Sequence, residues 1–273
     1  MKCKIGIMQG RLSKTPAGIV QKFPIKNWEN EFFILNKLGY DAIELIFDTV
    51  KNPLFTNSGI KKIIKLSNQY NIDTPSVIFD YLKMNPLVEK KGLNILNVIK
   101  KLLINMKKIG AKNLCIALIE DNRIENSDDL KIIVPLLKKI CNYAYRLGII
   151  ITLETDLSVI NSKKLINLVD CKNLKINMDV GNIVALGYDI KDYLIQLKKY
   201  IYSIHIKDRD PLFGNNVPLG LGSVNFNKLF EILNQNKFNG YLIIEGARKK
   251  DLEKTFMDYH KFINRFIKKY DEK

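Results

Sequence analysis

Short apolar segments rich in β-branched residues alternate along the chain with longer segments that have the apolar spacing of amphipathic helices. We predict strands at eight of the short segments: 4–9, 41–47, 74–79, 113–119, 149–156, 174–180, 202–208 and 241–246. The intervening segments, such as 27–39 and 127–148, predict helices.

Three of the predicted helices end in a glycine just before the next strand, at Gly39, Gly110 and Gly148. Glycine adopts the left-handed conformation that closes many helices, so these positions are expected helix ends. At the other end of the helix that stops at Gly148, Ser127 is the expected N-cap.

Helices that lead repeatedly into strands predict parallel strands joined by crossovers. Eight such units in 273 residues, with no glycine-rich phosphate loop after the first strand, favour a (β/α)8 TIM barrel over a doubly wound sheet. No proline-, glycine- or serine-rich linker interrupts the pattern. We therefore predict one domain that spans residues 1–273.

The formal charge of +16 comes from 44 Lys and Arg against 28 Asp and Glu. Such an excess would suit nucleic acid, an anionic membrane or a phosphorylated substrate. The lysines recur on almost every predicted helix instead of forming one block, and the chain is also rich in Ile and Asn. This distribution is typical of a compositional bias, so it predicts no basic binding face.

Four cysteines occur without a CxxC pair, and two of them lie in apolar runs. We expect a reduced, cytoplasmic protein. The amino-terminal segment has a four-residue apolar run, too short for a secretory signal, and no run reaches the roughly 18 residues of a membrane span. We expect neither targeting nor membrane insertion.

Polar side chains stand at the ends of the last four predicted strands. They are Glu154, Asp179, His205 and Glu245, and the active sites of such barrels lie at the carboxyl ends of the strands. Burying these carboxylates without a partner would cost several kcal/mol, which a divalent cation would remove. Three carboxylates and one imidazole suit Mn²⁺, Co²⁺, Mg²⁺ or Zn²⁺, and one such ion is the expected cofactor.

Other residues are expected at or near the mouth. Glu44 and Asp80 follow the second and third strands and are expected to bind substrate through hydrogen bonds. Trp28 is expected to be either an aromatic at the rim or a packing residue. His260 lies on an amphipathic segment and is expected to be a surface or packing residue.

The four strand-end residues, in this order and spacing, resemble the xylose isomerase-like TIM barrel superfamily, which includes ketose 3-epimerases, sugar phosphate isomerases and endonuclease IV. The segments "MDVGN", "HIKDRDPLFGNNVPLGLGSVNF" and "LIIEG" are similar to the branch of L-ribulose-5-phosphate and L-xylulose-5-phosphate 3-epimerases. Asn182 matches that branch, whereas many epimerases of free sugars have histidine there. Leu221 stands where the branch commonly has glutamate, so a hydrogen bond that supports this loop is expected to be missing.

The resemblance implies a metal-dependent isomerase or epimerase, with 3-epimerisation of a ketose phosphate through a metal-stabilised enediolate as the preferred activity. It implies that Glu154 and Glu245 are the catalytic acid and base and that Asp179 and His205 act mainly as ligands. Binding of the substrate is assigned to Asn182 and to the basic residues, of which Arg11, Lys207, Arg209 and Arg248 could each hold a phosphate.

Two alternatives come from other classes. An enzyme like endonuclease IV is disfavoured because its three-zinc site needs several histidines and this chain has two. A non-catalytic sugar-binding barrel is disfavoured because binding alone needs no paired acid and base. The expected partner is a small sugar or sugar phosphate, with no nucleic acid and no membrane, and the expected assembly is a homodimer or homotetramer.

Overall fold

Eight parallel strands pair in chain order, and the first strand pairs with the last to close a barrel. The computed structural model describes residues 2–14, 21–85, 92–212 and 214–271. The strands are β1 (Lys4–Met8), β2 (Ala42–Ile46), β3 (Ser76–Ile78), β4 (Asn113–Leu118), β5 (Ile150–Thr155), β6 (Leu174–Asp179), β7 (Ile201–Ile206) and β8 (Tyr241–Ile244). The predicted (β/α)8 barrel is confirmed. Residues 1, 15–20, 86–91, 213 and 272–273 of the predicted 1–273 domain lie outside the described residues.

Every strand falls within its predicted segment except β7, which begins one residue earlier than expected. Most strands also end before the predicted carboxyl end. Several of the polar residues that follow, such as Glu245 after β8, belong to the loops above the barrel and not to the sheet.

Helices surround the barrel on its outer side. In the described part of the chain they are α1 (Trp28–Leu38), α2 (Asn57–Tyr70), α3 (Gly92–Ile109), α4 (Ser127–Leu147), α5 (Val159–Val169), α6 (Val180–Ala185), α7 (Ile190–Leu197), α8 (Phe226–Gln235) and α9 (Leu252–Asp271). Short 3-10 turns at 53–55, 80–84 and 120–122 lie in the loops that follow β2, β3 and β4.

The three glycines expected to end helices all adopt the left-handed conformation, with φ of 80° at Gly39, 81° at Gly110 and 70° at Gly148. Ser127 as the N-cap of α4 is wrong, because Asn126 caps this helix. Its side chain accepts from the N–H groups of residues 128 and 129, and the Asp129 carboxylate accepts from Asn126 N. This reciprocal arrangement needs an acidic residue three positions after the cap, which favours Asn126.

Trp28 packs in the core and is not an aromatic at the rim. Its side chain is 8% exposed, and its ring lies 6.2 Å from that of Phe23 and 6.5 Å from that of Phe32. His260 also packs outside the barrel mouth, with its ring centre 4.9 Å from that of Tyr40. The packing alternative for both residues is therefore confirmed.

A buried carboxyl group from α1 holds the loop that follows β1. Glu31 accepts a hydrogen bond from Gly10 N and another from the Ser13 hydroxyl, both at 2.9 Å. Burial raises the pKa of Glu31 to about 7, although these hydrogen bonds and the charge of Arg248 oppose the shift. The loop after β1 is thereby tied to a group that titrates near neutral pH.

Replacing this group with a neutral amide tests its effect on stability. In the folded chain Glu31 keeps its proton up to a pH of about 7, whereas in the unfolded chain it loses the proton near its ordinary pKa of 4.5. The folded state therefore loses stability as the pH rises through this window. Glu31→Gln can still accept from Gly10 N and donate to Ser13, so it should remove this loss, which is at most about 3 kcal/mol.

Urea denaturation of both proteins at several pH values between 4.5 and 8 measures the effect. Glu29→Gln, an exposed carboxylate on the same helix, is the matched control. An unfolding free energy that depends on pH equally in the wild type and in Glu31→Gln would contradict the assignment.

Candidate active site

Four side chains from neighbouring strands meet at the carboxyl end of the barrel. Glu154 lies in β5, Asp179 ends β6, His205 lies in β7 and Glu245 follows β8. One ligand atom from each lies within 4.8 Å of the others. The structure thus brings together all four residues that the sequence singled out as metal ligands.

The four side chains are buried, and two of their polar atoms lack a well-oriented hydrogen bond. His205 Nδ1 lies 3.2 Å from Glu154 Oε2 and 3.4 Å from Glu245 Oε2, yet it forms no well-oriented hydrogen bond. Asp179 Oδ2 lies 3.0 Å from Lys207 Nζ but also accepts no well-oriented hydrogen bond. A divalent cation among these atoms would satisfy both and offset the repulsion between the carboxylates. The donor set therefore fits such an ion.

Cys115 forms a second possible ligand group with Glu154 and His205. Burial raises the pKa of the Cys115 thiol well above its usual range. A protonated thiol is a poor metal ligand. The set of three carboxylates and one imidazole is therefore the better candidate, and both groups surround one position because they share two residues.

Glu44 lies behind the imidazole and not at the mouth where it was expected. Its Oε2 is 2.8 Å from His205 Nε2, and both side chains are fully buried. A carboxylate on the second ring nitrogen fixes the orientation of the ring and directs Nδ1 toward the other three ligands. The sequence suggested a substrate contact, and the structure favours a positioning role because the side chain points into the barrel beneath the site.

Two buried cations neutralise Glu245. Arg11 Nη2 donates to Glu245 Oε1 at 2.8 Å, and Lys207 Nζ lies 3.0 Å from the same oxygen and 3.0 Å from Asp179 Oδ2. Burial alone would raise the pKa of Glu245, but Lys207 and Arg11 outweigh it and hold this pKa well below its usual range. The positive charges of Arg11 and Lys207 are thus already paired within the site.

Neutral amides surround Glu154 instead. Asn182 Nδ2 donates to Glu154 Oε1 at 3.0 Å and Asn177 Nδ2 donates to Oε2 at 3.3 Å. Burial raises the pKa of Glu154, and His205 only partly opposes this shift. Asn182, which was expected to bind substrate, therefore orients Glu154. The two carboxylates that were predicted to act as acid and base lie in opposite electrostatic surroundings.

Asn177 was missed by the sequence analysis, although a signal for it was present. It precedes Asp179 by two positions, so the two side chains point to the same side of β6. Ser203 Oγ donates to Asn177 Oδ1 at 2.6 Å, and Asn113 Nδ2 donates to Ser203 Oγ at 3.3 Å. A chain of hydrogen bonds inside the barrel therefore supports Glu154 from below.

A cavity of about 370 Å³ opens above the four ligands. Glu154 and Glu245 line it, as do three residues that were predicted to bind substrate, namely Asp80, Lys207 and Arg209. The other three residues that were predicted to bind substrate, Glu44, Asn182 and Arg248, are described by the structure but do not line this cavity. Arg248 Nη2 instead donates to Gly10 O at 2.8 Å. A larger cavity of about 520 Å³ lies at the opposite end of the barrel and contains none of the predicted site residues.

Asp208 organises the loop that follows β7. Its buried carboxylate accepts from the backbone N–H groups of Arg209, Gly220, Gly222 and Val224 at 2.9–3.1 Å. A Cβ at Gly222 would collide with this carboxylate, which explains the glycine. Leu221 is 72% exposed and makes no such contact. In this chain Asp208, and not the residue at position 221, forms the hydrogen bonds that hold the loop.

The chain is similar in sequence to known proteins. A profile of the xylose isomerase-like TIM barrel family matches residues 32–266. L-ribulose-5-phosphate 3-epimerase UlaE of Escherichia coli (strain SMS-3-5 / SECEC) is 25% identical over 248 residues, which cover 84% of this chain and 86% of the relative. Its counterpart in Salmonella heidelberg (strain SL476) is 24% identical over the same shares of both chains.

Solved structures show the same fold at low sequence identity. A xylose isomerase domain protein from Planctomyces limnophilus superposes over the whole of both chains with a TM-score of 0.81 and 17% identity. The IOLI protein with a bound zinc atom gives a TM-score of 0.78 at 19% identity, over 98% of this chain and 99% of that one. No helix in the described part of this chain has the length and apolar character needed to cross a membrane.

Binding of a metal to the four-residue site can be measured without substrate. We expect Mn²⁺ to raise the midpoint of thermal unfolding, because an ion that binds only the folded chain stabilises it. Asp179→Asn should weaken Mn²⁺ binding by at least about tenfold, since a neutral amide replaces a charged ligand. Calorimetric titration of the metal-free protein with MnCl₂ measures the affinity.

Asp189→Asn is the matched control for this experiment. Asp179 Oδ1 accepts from Asn182 N at the start of α6, and Asp189 Oδ1 accepts from Asp192 N at the start of α7, each at 2.8 Å. Both substitutions keep an oxygen for the helix cap, but only the first changes the site. Equal Mn²⁺ affinity in the two variants would show that the ion binds elsewhere.

Proposed function

Because the chain belongs to the xylose isomerase-like TIM barrel family, we propose that it is a divalent-metal-dependent epimerase that inverts C3 of a ketose phosphate. The observation that carries the proposal is the convergence of Glu154, Asp179, His205 and Glu245 beneath a cavity. The similarity to L-ribulose-5-phosphate 3-epimerases over most of both chains supports the choice of a pentulose 5-phosphate as substrate. The chain is expected to need no nucleic acid partner.

An ion held by these four residues would polarise the ketose carbonyl and make the neighbouring C–H bond more acidic. Epimerisation then requires that a proton leave one face of C3 and that another arrive on the opposite face. Glu154 and Glu245 come from β5 and β8 and both line the cavity, so they can approach the carbon from different sides. In this scheme Asp179 and His205 transfer no proton and would act only as metal ligands.

The two glutamates are suited to different steps in one direction of the reaction. Arg11 and Lys207 engage Glu245 Oε1, which favours an ionised carboxylate and leaves Oε2 to take the proton from C3. Glu154, which accepts from the amides of Asn177 and Asn182, would carry a proton in this direction of the reaction and deliver it to the other face. The reverse reaction exchanges these roles. Exchange of the carboxyl protons with water restores the starting state.

The position of the ligands also supports an enzyme of this kind over one like endonuclease IV. In the described part of the chain, the possible ligand groups all contain Glu154 and His205, so they surround a single position. Asn182 donates to Glu154 and occupies the place of a histidine that a three-zinc site would use. Cytoplasmic location and a homodimer or homotetramer remain predictions, and light scattering after size exclusion would test the assembly.

Exchange of substrate hydrogen with solvent tests the reaction itself. In D₂O with Mn²⁺, we expect the wild type to incorporate deuterium at C3 of L-ribulose 5-phosphate, which NMR detects directly. Glu154→Gln and Glu245→Gln should each slow this exchange by about 10² to 10⁴, because each removes a proton-transfer group. Glu231→Gln, which changes a half-buried glutamate on α8, serves as the control.

The site of exchange distinguishes the related activities. Deuterium at C1 in place of C3 would indicate an isomerase. If no ketose phosphate and no free ketose exchanges at any carbon, the proposed function is wrong.

A further inference from the structure

We propose that Arg209 binds the phosphate group of the substrate and makes the enzyme selective for phosphorylated ketoses over free ones. The proposal rests on the proposed function, which requires a group that binds the phosphate of the ketose. From the sequence alone, four basic residues were equally suited to this role: Arg11, Lys207, Arg209 and Arg248. Their contacts in the structure distinguish them.

The charge pairing within the cavity leaves Arg209 as the available cation. Lys207 pairs with two site carboxylates, and Lys83 Nζ lies 3.2 Å from Asp80 Oδ2. Arg11 is buried beneath the cavity against Glu245. Among the described residues that line the cavity, Arg209 is the basic side chain that no carboxylate engages in an ion pair. An arriving phosphate therefore displaces no existing partner from it.

The guanidinium of Arg209 is held in place but keeps most of its donors. Nη1 donates to Gly214 O at 3.0 Å, and the backbone N donates to Asp208 Oδ1. Nε has no partner within the described structure. Of the five N–H groups of a guanidinium, one donates to Gly214 O and the Nε group is buried, so at most three groups, on Nη1 and Nη2, remain for a ligand. A planar, pre-positioned guanidinium matches the oxygens of a phosphate in pairs, and little conformational entropy is lost on binding.

The position of Arg209 suits the shape of a ketose phosphate. The phosphate is carried on a terminal carbon, so it must lie away from the reacting C3. Arg209 lines the same cavity as Glu154 and Glu245, and that cavity has a volume typical of small-molecule sites. One substrate can therefore reach the paired carboxylates with C3 and Arg209 with its phosphate. Asp80 and Glu120 also line the cavity and would repel a phosphate placed beside Lys83.

The experiment compares two substrates that differ only in the phosphate. We measure kcat/KM of the Mn²⁺-loaded protein for L-ribulose 5-phosphate and for L-ribulose, and take the ratio of the two. Arg209→Gln should lower this ratio by about 10- to 100-fold, the size expected for hydrogen bonds to a charged group. Arg209→Lys keeps the charge without the planar donors, so it should lower the ratio by less.

Two further variants complete the comparison. Arg146→Gln removes the same charge from the exposed surface of α4 and should leave the ratio unchanged. Lys83→Gln removes the other basic group at the rim. A ratio that falls with Lys83→Gln and not with Arg209→Gln would overturn the proposal, as would an equal loss for both substrates or a wild type that does not prefer the phosphorylated sugar.

A binding measurement separates this proposal from the proposed function. Inorganic phosphate is titrated into the Mn²⁺-loaded protein in a calorimeter, and its affinity should fall about tenfold or more in Arg209→Gln but not in Arg146→Gln. If no ketose reacts, the epimerase function fails, and this titration still decides whether Arg209 binds phosphate. If ketose phosphates react and phosphate binds both variants equally, the role of Arg209 is wrong while the epimerase function stands.

Discussion

Several carboxylates are buried around one imidazole at the carboxyl end of the barrel. Glu44, Glu154, Asp179 and Glu245 all lie beneath the barrel mouth, with little or no exposure to water. Such a concentration of negative charge is stable only when cations, hydrogen-bond donors or a metal ion compensate it. Arg11, Lys207, Asn177, Asn182 and His205 all contribute to this compensation.

The compensation differs from one carboxylate to the next. Glu245 is neutralised by two full positive charges, Asp179 by Lys207 and by the start of α6, and Glu154 by two amides. Groups of the same kind in unlike surroundings can serve as acid and base in one reaction. A barrel supplies such surroundings readily because each strand contributes its own side chains to a common mouth.

The same pairing also divides the basic residues between two tasks. Arg11 and Lys207 are committed to the carboxylates of the site, and a phosphate that bound to them would release those carboxylates. Arg209 stands on the loop that Asp208 anchors, beyond these pairs but within the same cavity. This loop is therefore separate from the residues that pair with the site carboxylates.

The order of strands and helices, the closure of several helices by glycine and the identity of the four strand-end residues could all be predicted from the sequence. These features depend on local periodicity and on backbone preference, which a short segment expresses alone. Three contacts could not be predicted and became visible in the folded chain: Glu44 with His205, Arg11 with Glu245, and Asn182 with Glu154. The first two contacts join residues 161 and 234 positions apart in the chain. Which side chains meet across a barrel depends on the register of all eight strands, and no local pattern contains that information.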